Sequence, residues 1–313
     1  MLYRRLGRTD IEASAIGFGC NRIGDSNAAV DRREIEATLR EAFEQGVNFY
    51  DTANVYGGGE SEALLGSALR PQRDKVVLCS KVGTKPWRSV LVERWTDPLR
   101  LRLRRLRRVN AGTPKSGWER PAAGFAPRFL ELAVAGSLRR LGTDYLDLLY
   151  LHGPPPSVLR DPSVFAKLED LRERGWIRWY GVSFTTSTPT QEIVAAVERW
   201  PGIAMVQVSI HPLSSLDLAR VADATRARGA GIVANQPFRK GALLADSRVQ
   251  APDALGRTRA QTLLRFAVQC PGVDVALVGM RSRAHLRENL AALDASPLTA
   301  EEMGRLGSSA EIR

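Results

Sequence analysis

The chain is expected to fold as an α/β protein of the (β/α)8 barrel class, and three observations lead there. Eight short runs rich in β-branched and aromatic residues alternate with eight longer segments of helical spacing. The runs are almost continuously apolar, as parallel strands covered by helices require. No Pro- or Gly-rich linker divides the 313 residues, and a single α/β barrel commonly reaches that length. Eight repeats favour closure over an open doubly wound sheet.

The elements follow in order. Residues 3–7 and 11–14 read as a small hairpin ahead of the first strand. Strands are expected at 15–19, 48–51, 76–81, 146–152, 177–183, 205–210, 231–235 and 275–279, each too short and too apolar for a surface helix. Helices are expected at 32–45, 61–69, 127–141, 163–174, 189–198, 216–228, 258–269 and 283–293. Four of them stop at Gly46, Gly142, Gly175 and Gly229, where a left-handed residue closes the last turn. The whole chain, 1–313, is expected to be one barrel domain.

One segment breaks the rhythm. Residues 83–126 separate the third strand from the third helix, far longer than an ordinary connection. A loop after a barrel strand opens on the C-terminal face, where barrel active sites are built. Within it, "DPLRLRLRRLRRVN" packs six arginines between Arg100 and Arg108. From Arg88 to Arg120 there are ten basic residues against three acidic ones, so most of the net charge of +11 lies here. Nucleic-acid binding would call for a spread basic face and a recognisable motif. No zinc-finger spacing, RRM-type signature or helix-turn-helix accompanies the run, so that partner is disfavoured. Leu99, Leu101, Leu103 and Leu106 are placed to pack one side of the segment, leaving a solvated basic face.

Composition narrows the class further. With 44% hydrophobic and 25% charged residues the chain is an ordinary globular one. Cys20, Cys79 and Cys270 lie far apart and in no CxxC spacing, which points to a reducing compartment and to neither a disulfide scaffold nor a metal site. No apolar run of membrane-spanning length and no leader-like stretch is present, so no membrane partner and a cytoplasmic location are expected. Arginine far outnumbers lysine, in keeping with a bacterial gene and a place in secondary metabolism.

In a barrel the chemistry belongs to residues that close the strands. "FYDTANVYGGGESEALLG" puts Asp51 at the end of the second strand and Tyr56 five residues on. "VVLCSKVG" puts Lys81 near the end of the third, and "LDLLYLHGP" puts His152 at the end of the fourth. A lysine closing a buried strand needs a partner for its charge, and Asp51 on the neighbouring strand is placed to provide it. An ammonium beside Tyr56 would stabilise its phenolate and turn the tyrosine into a usable proton donor. His152 is placed to orient a carbonyl oxygen. Taken singly, each residue has a structural explanation; together they describe proton delivery to a carbonyl. Gly57, Gly58 and Gly59 lack the Lys-Ser/Thr of a phosphate loop and read as turn glycines.

The segments "DTANVYGGGESEALLG", "SKVG", "RLGTDYLDLLYLHGP" and "WYGVSF" resemble the aldo-keto reductase superfamily in order and spacing. The resemblance implies a barrel that binds NAD(P)H in extended form, and hydride transfer from the nicotinamide to a carbonyl carbon. It implies a catalytic tetrad of Asp51, Tyr56, Lys81 and His152, with Tyr56 as general acid. It sets Ser183 and Gln207 on the nicotinamide carboxamide and counts Gly19, Asn21 and Asp51 among the cofactor-binding residues. In "ALVGMRSRAHLRENLAA" it places Gly279, Arg281, Ser282, Arg283, Glu288 and Asn289 around the adenosine half. Ser282 with Arg281 or Arg283 would meet a 2′-phosphate, and arginine forks suit phosphate. NADPH (NADP+) is therefore expected ahead of NADH.

Two positions depart from the family pattern. Phe184 follows the serine of "GVSF" where the family usually has Asn, and Asn235 stands where an aromatic residue often stacks on the nicotinamide. Tyr56, Trp87, His152 and His211 are the candidate lining of a substrate pocket, although His211 equally well caps its strand; Trp95 reads as a loop anchor, and Trp118 is open to either role. The substrate is expected to be a small carbonyl compound, a sugar or natural-product intermediate, anionic or carrier-bound given the basic loop. Two alternatives stand beside a reductase: a nucleotide-binding regulatory subunit of the same fold, and a sugar dehydrogenase running in the oxidative direction.

Overall fold

A computed structural model describes residues 1–23, 31–84, 122–246 and 256–308. It opens with an antiparallel pair, β1 (Tyr3–Arg5) and β2 (Glu12–Ser14), in which Arg4 faces Ala13. Eight parallel strands follow, each with a helix after it. They are β3 (Ile16–Gly19), α1 (Arg32–Glu44), β4 (Phe49–Asp51), α2 (Glu60–Leu69), β5 (Val77–Val82) and α3 (Pro127–Leu141). The second half runs β6 (Leu146–His152), α4 (Pro162–Glu173), β7 (Ile177–Ser183), α5 (Thr190–Arg199), β8 (Ile203–Ser209), α6 (Leu218–Arg228), β9 (Gly231–Asn235), α7 (Arg259–Gln269), β10 (Val273–Gly279) and α8 (Arg283–Asp294). A last helix, α9 (Ala300–Ser308), follows.

The strands pair in sequence order from β3 to β10, and β10 closes on β3 through Ala276–Ile16 to Gly279–Gly19. This is the expected closed barrel, and each expected strand and helix lies within about two residues of an observed one. Helix α9 was not anticipated from the sequence.

Two apolar layers hold the barrel. Phe49, Val77, Leu148, Tyr150, Met205, Val233 and Val275 fill its interior, and Leu6, Ile11 and Ala13 of the hairpin plug the end away from the loops. A larger cluster lies between strands and helices and includes Leu65, Leu130, Leu168, Val206 and Leu264. Charged groups brace the plugged end. Asp147 is 2% exposed and accepts from the backbone N–H of Leu78 (2.9 Å), from Arg73 (2.9 Å) and from Arg178 (2.6 Å). Arg178 also reaches Asp10, which accepts from the indole of Trp179 at 3.0 Å. The polar strand ends therefore gather at the opposite mouth.

The basic segment lies almost wholly outside the described residues, but both its stems are described. Gly83 has φ +104°, and its Cα abuts the ring of Phe125, so closely that a Cβ there would overlap the ring. Phe125 itself is fully buried. The hydroxyl of Thr84 donates to the carbonyl of His152 at 3.1 Å. The long connection thus leaves and rejoins the barrel beside β5 and β6.

Candidate active site

Asp51 and Lys81 close adjacent strands and point into the barrel mouth, 2% and 1% exposed. Lys81 Nζ donates to Asp51 Oδ2 and, at 3.0 Å, to the carbonyl of Thr52. Burial alone would lower the lysine pKa, but Asp51 and Tyr56 outweigh it and hold Lys81 above its ordinary value. The ammonium is fixed in place and charged. Tyr56 begins a 3-10 turn, Tyr56–Gly59, in which Gly57, Gly58 and Gly59 all take positive φ (56°, 66° and 98°). L-residues seldom adopt three such angles in succession, so the glycine run is what folds the turn back over the mouth. It leaves the Tyr56 ring centroid 5.3 Å from Lys81 Nζ.

His152 ends β6, opposite Ser183 in register. Its ring meets that of Tyr56 edge-on, centroids 5.9 Å apart and planes at 90°. Asp51, Tyr56, Lys81 and His152 are therefore one constellation, drawn from the ends of β4, β5 and β6 and the turn after β4. Ser183 and Gln207 lie beside it, 4% and 2% exposed. Ser183 donates to Gln207 Oε1 at 2.7 Å, and Gln207 Nε2 donates to Asp51 Oδ1 at 3.2 Å.

A flat ligand has room against this set. Gly19 and Gly279 pair in register and put no side chain into the mouth between β3 and β10. A Cβ added at Gly279 would meet only the carbonyl of Gly19, at 3.9 Å. Further round, the buried Ser209 Oγ and Asn235 Oδ1 have no hydrogen-bond partner among the described residues. Unpaired buried polar atoms are costly, and polar ligand groups are what such positions suit. These features fit a nicotinamide. Asn21 is exposed, two residues beyond β3.

The second expected cluster lies at the start of α8. Ser282 caps the helix, its hydroxyl accepting the N–H of His285 at 3.3 Å. Arg283 is paired with Glu34 at 3.3 Å, whereas Arg281 is half-buried and makes no ion pair among the described residues. Glu288 accepts from Thr258 at 3.1 Å, and Asn289 is 4% exposed. His285 is an exposed side chain.

His211 follows β8 and is 8% exposed, and its Nδ1 has no hydrogen-bond partner among the described residues. Burial and the nearby Arg239 push its pKa down to about 4, so the imidazole is neutral at physiological pH. Phe184 is buried among the residues packed between strands and helices. Trp87, Trp95 and Trp118 lie outside the described residues.

Sequence reasoning missed a buried brace behind the Tyr56 turn. Glu62, on α2, accepts from Ser80 (2.6 Å) on β5 and from Arg140 (2.7 Å) on α3. The pairing spans 78 residues, and no local pattern announces it. The positive φ at Gln236, Arg239 and Lys240, after β9, was equally invisible.

The comparisons with known proteins fit this geometry. Residues 15–311 match the model of the aldo/keto reductase family. The chain belongs to that family. The oxidoreductase YqkF of Bacillus subtilis is 27% identical over 98% of this chain and 96% of its own. A D-threo-aldose 1-dehydrogenase of Pseudomonas is 29% identical over 84% of this chain and 78% of its own. The crystal structure of an aldo-keto reductase from Klebsiella pneumoniae in complex with NADPH is 29% identical, with a TM-score of 0.72, and covers 98% of this chain and 94% of that one. Within an oxidoreductase family, the strand-end constellation becomes the candidate active site of this member. No helix among the described residues is long and apolar enough to cross a membrane.

Proposed function

We propose that this aldo/keto reductase is an NADPH-dependent carbonyl reductase in which Tyr56 is the general acid. One observation carries the reading: a buried, charged Lys81, locked by Asp51, stands 5.3 Å from the ring of a tyrosine that opens on the mouth beside His152. The bound nicotinamide supplies a hydride equivalent to the carbonyl carbon. Tyr56 donates its proton to the carbonyl oxygen as negative charge gathers there, and Lys81 stabilises the phenolate left behind. Asp51 keeps Lys81 in position and pays part of its desolvation cost. His152 orients the carbonyl oxygen towards Tyr56, and a proton from solvent restores the phenol. Ser183 and Gln207 hold the carboxamide, and the gap at Gly19 and Gly279 admits the ring. Arg281 and Ser282 meet the 2′-phosphate, which is why NADPH is favoured over NADH.

The substrate class is a small carbonyl compound bearing negative charge, such as a phosphorylated or nucleotide-linked sugar or a natural-product ketone on an acidic carrier. Its support is that both stems of the arginine-rich segment sit beside His152 and Lys81, together with the general rule that concentrated positive charge raises the encounter rate of anions. A phosphorylated aldehyde should show a kcat/KM that falls steeply with added salt, while a neutral aldehyde of the same size shows little change. Similar salt curves for the two would remove the anionic assignment.

Purified protein should quench or shift NADPH fluorescence on binding and oxidise NADPH in the presence of nitrobenzaldehyde. Tyr56→Phe should lower kcat about 10²- to 10⁴-fold while NADPH still binds. Full turnover by Tyr56→Phe would sink the mechanism. The sugar dehydrogenase among the relatives favours a second reading, the same residues run in the oxidative direction with the Tyr56 phenolate as base. Relative kcat/KM for aldose oxidation and carbonyl reduction decides between the two.

A further inference from the structure

We propose that Gln207 couples the cofactor's carboxamide to the Asp51–Lys81 ion pair, and so acts as a positioning residue for proton delivery by Tyr56. The proposal rests on the reading of the site given above. Its basis is one unbroken line of polar side chains. Ser183 Oγ donates to Gln207 Oε1 (2.7 Å), Gln207 Nε2 donates to Asp51 Oδ1 (3.2 Å), and Asp51 Oδ2 accepts from Lys81. Lys81 Nζ then faces the Tyr56 ring at 5.3 Å. From Ser183 to Lys81 no member is more than 4% exposed, so water does not break or screen the line.

A primary amide is suited to this post because its acceptor and donor ends are conjugated. Loading the carbonyl with a donor strengthens the N–H at the other end. In the structure the Ser183 hydroxyl loads Gln207 Oε1. That hydroxyl has one proton and can serve one acceptor. If a carboxamide were held here, Ser183 would donate to its oxygen and Gln207 Oε1 would be left to accept from its N–H. The more firmly Gln207 then binds Asp51 Oδ1, the less carboxylate charge faces Lys81, and the more of the ammonium's field reaches the Tyr56 oxygen. Among the described residues, the groups facing Tyr56 are Lys81 from β5 and His152 from β6, with Asp51 of β4 behind Lys81. The thiols of Cys20 and Cys79 lie near Asp51, and burial keeps both protonated. A methionine in place of Gln207 interrupts the line, whereas a glutamate would set a second carboxylate against Asp51.

Tyrosinate absorbance, with Tyr56→Phe as the baseline, reports ionisation of Tyr56 in the free protein and in saturated complexes. NADP+ and its acetylpyridine analogue carry the same ring charge, but the analogue has no carboxamide N–H. In the unaltered protein NADP+ should lower the Tyr56 midpoint further than the analogue by a few tenths of a pH unit, about twofold in proton affinity. In Gln207→Met, and in the shortened amide of Gln207→Asn, the two ligands should give equal midpoints. Equal midpoints in the unaltered protein, or a difference that survives both substitutions, overturns the coupling. If one variant does not fold, the other decides together with the unaltered protein. Failure of the underlying reading looks different: NADP+ does not bind, or Tyr56→Phe turns over normally.

Discussion

Arg281 and Arg283 flank Ser282, and the structure separates their duties. Arg283 spends its charge on Glu34, while Arg281 is half-buried without an ion pair among the described residues. On the proposed reading, in which Arg281 meets the 2′-phosphate, Arg281→Ala should weaken NADPH binding about tenfold with little effect on NADH, through loss of that charge-assisted contact. Arg283→Ala should change the ratio of the two affinities less, and fluorescence titration with both cofactors checks the pair. At this scale the sequence is informative where a residue closes a strand. Asp51, Lys81 and His152 could be read because apolar strands end abruptly in groups that need partners. The same reading could not assign Arg283 to Glu34, because that contact joins helices 249 positions apart. Nor could it show that His211 is held neutral, which depends on burial and on Arg239.

The element that presents Tyr56 is held from behind. Helices α2 and α3 meet so closely that Gly66 packs directly on the backbone of Leu141. About two turns earlier on α2, Gly59 is passed by Arg140, whose Cδ would lie 2.7 Å from a Cβ there and which pairs with Glu62. Glu62 is fully buried, and although burial opposes its charge, Arg140, Ser80 and Ser137 together hold its pKa below the usual value. Because the folded pKa lies below the unfolded one, this pair stabilises the protein above the usual carboxylate range and fades as pH falls through the folded value. Glu62→Ala removes the buried carboxylate that pairs with Arg140 and should cost about 3–5 kcal/mol in denaturant unfolding. Replacing Glu62 and Arg140 together by Leu and Met should cost much less. The strands and helices were largely readable because each keeps its own periodicity. Helix α9 was not, since Leu306 is its deeply buried anchor and its other faces are largely polar.

Across the whole molecule the hairpin and the last strand share a half-buried carboxylate. Asp274 of β10 accepts the backbone N–H groups of Ile232 and Gly7, with Arg4 nearby, and burial pushes its pKa up to about 6. An acid whose folded pKa is raised binds its proton more tightly when folded. Stability should thus fall as pH rises from about 4 to about 6, by about 3 kcal/mol, and change little from this source above that. Asp274→Asn should flatten the slope over that interval in pH-dependent thermal unfolding. An unchanged slope would assign it to other groups. The closed barrel itself was legible in eight alternations of pattern. The plugging of one end by Leu6 and Ile11 was not, because a six-residue hairpin ladder gives no periodicity to read.

The seam between Gly83 and Phe125 has a consequence for how such a barrel can diversify. Where two chain ends already touch, the segment strung between them can lengthen, shrink or change composition almost independently of the scaffold. Each doubling of its length adds only about 0.6 kcal/mol of closure entropy. The seam sits beside Lys81 and His152, so a change in the segment joined there would alter the surroundings of the candidate site while its strand-end residues stay where the barrel holds them.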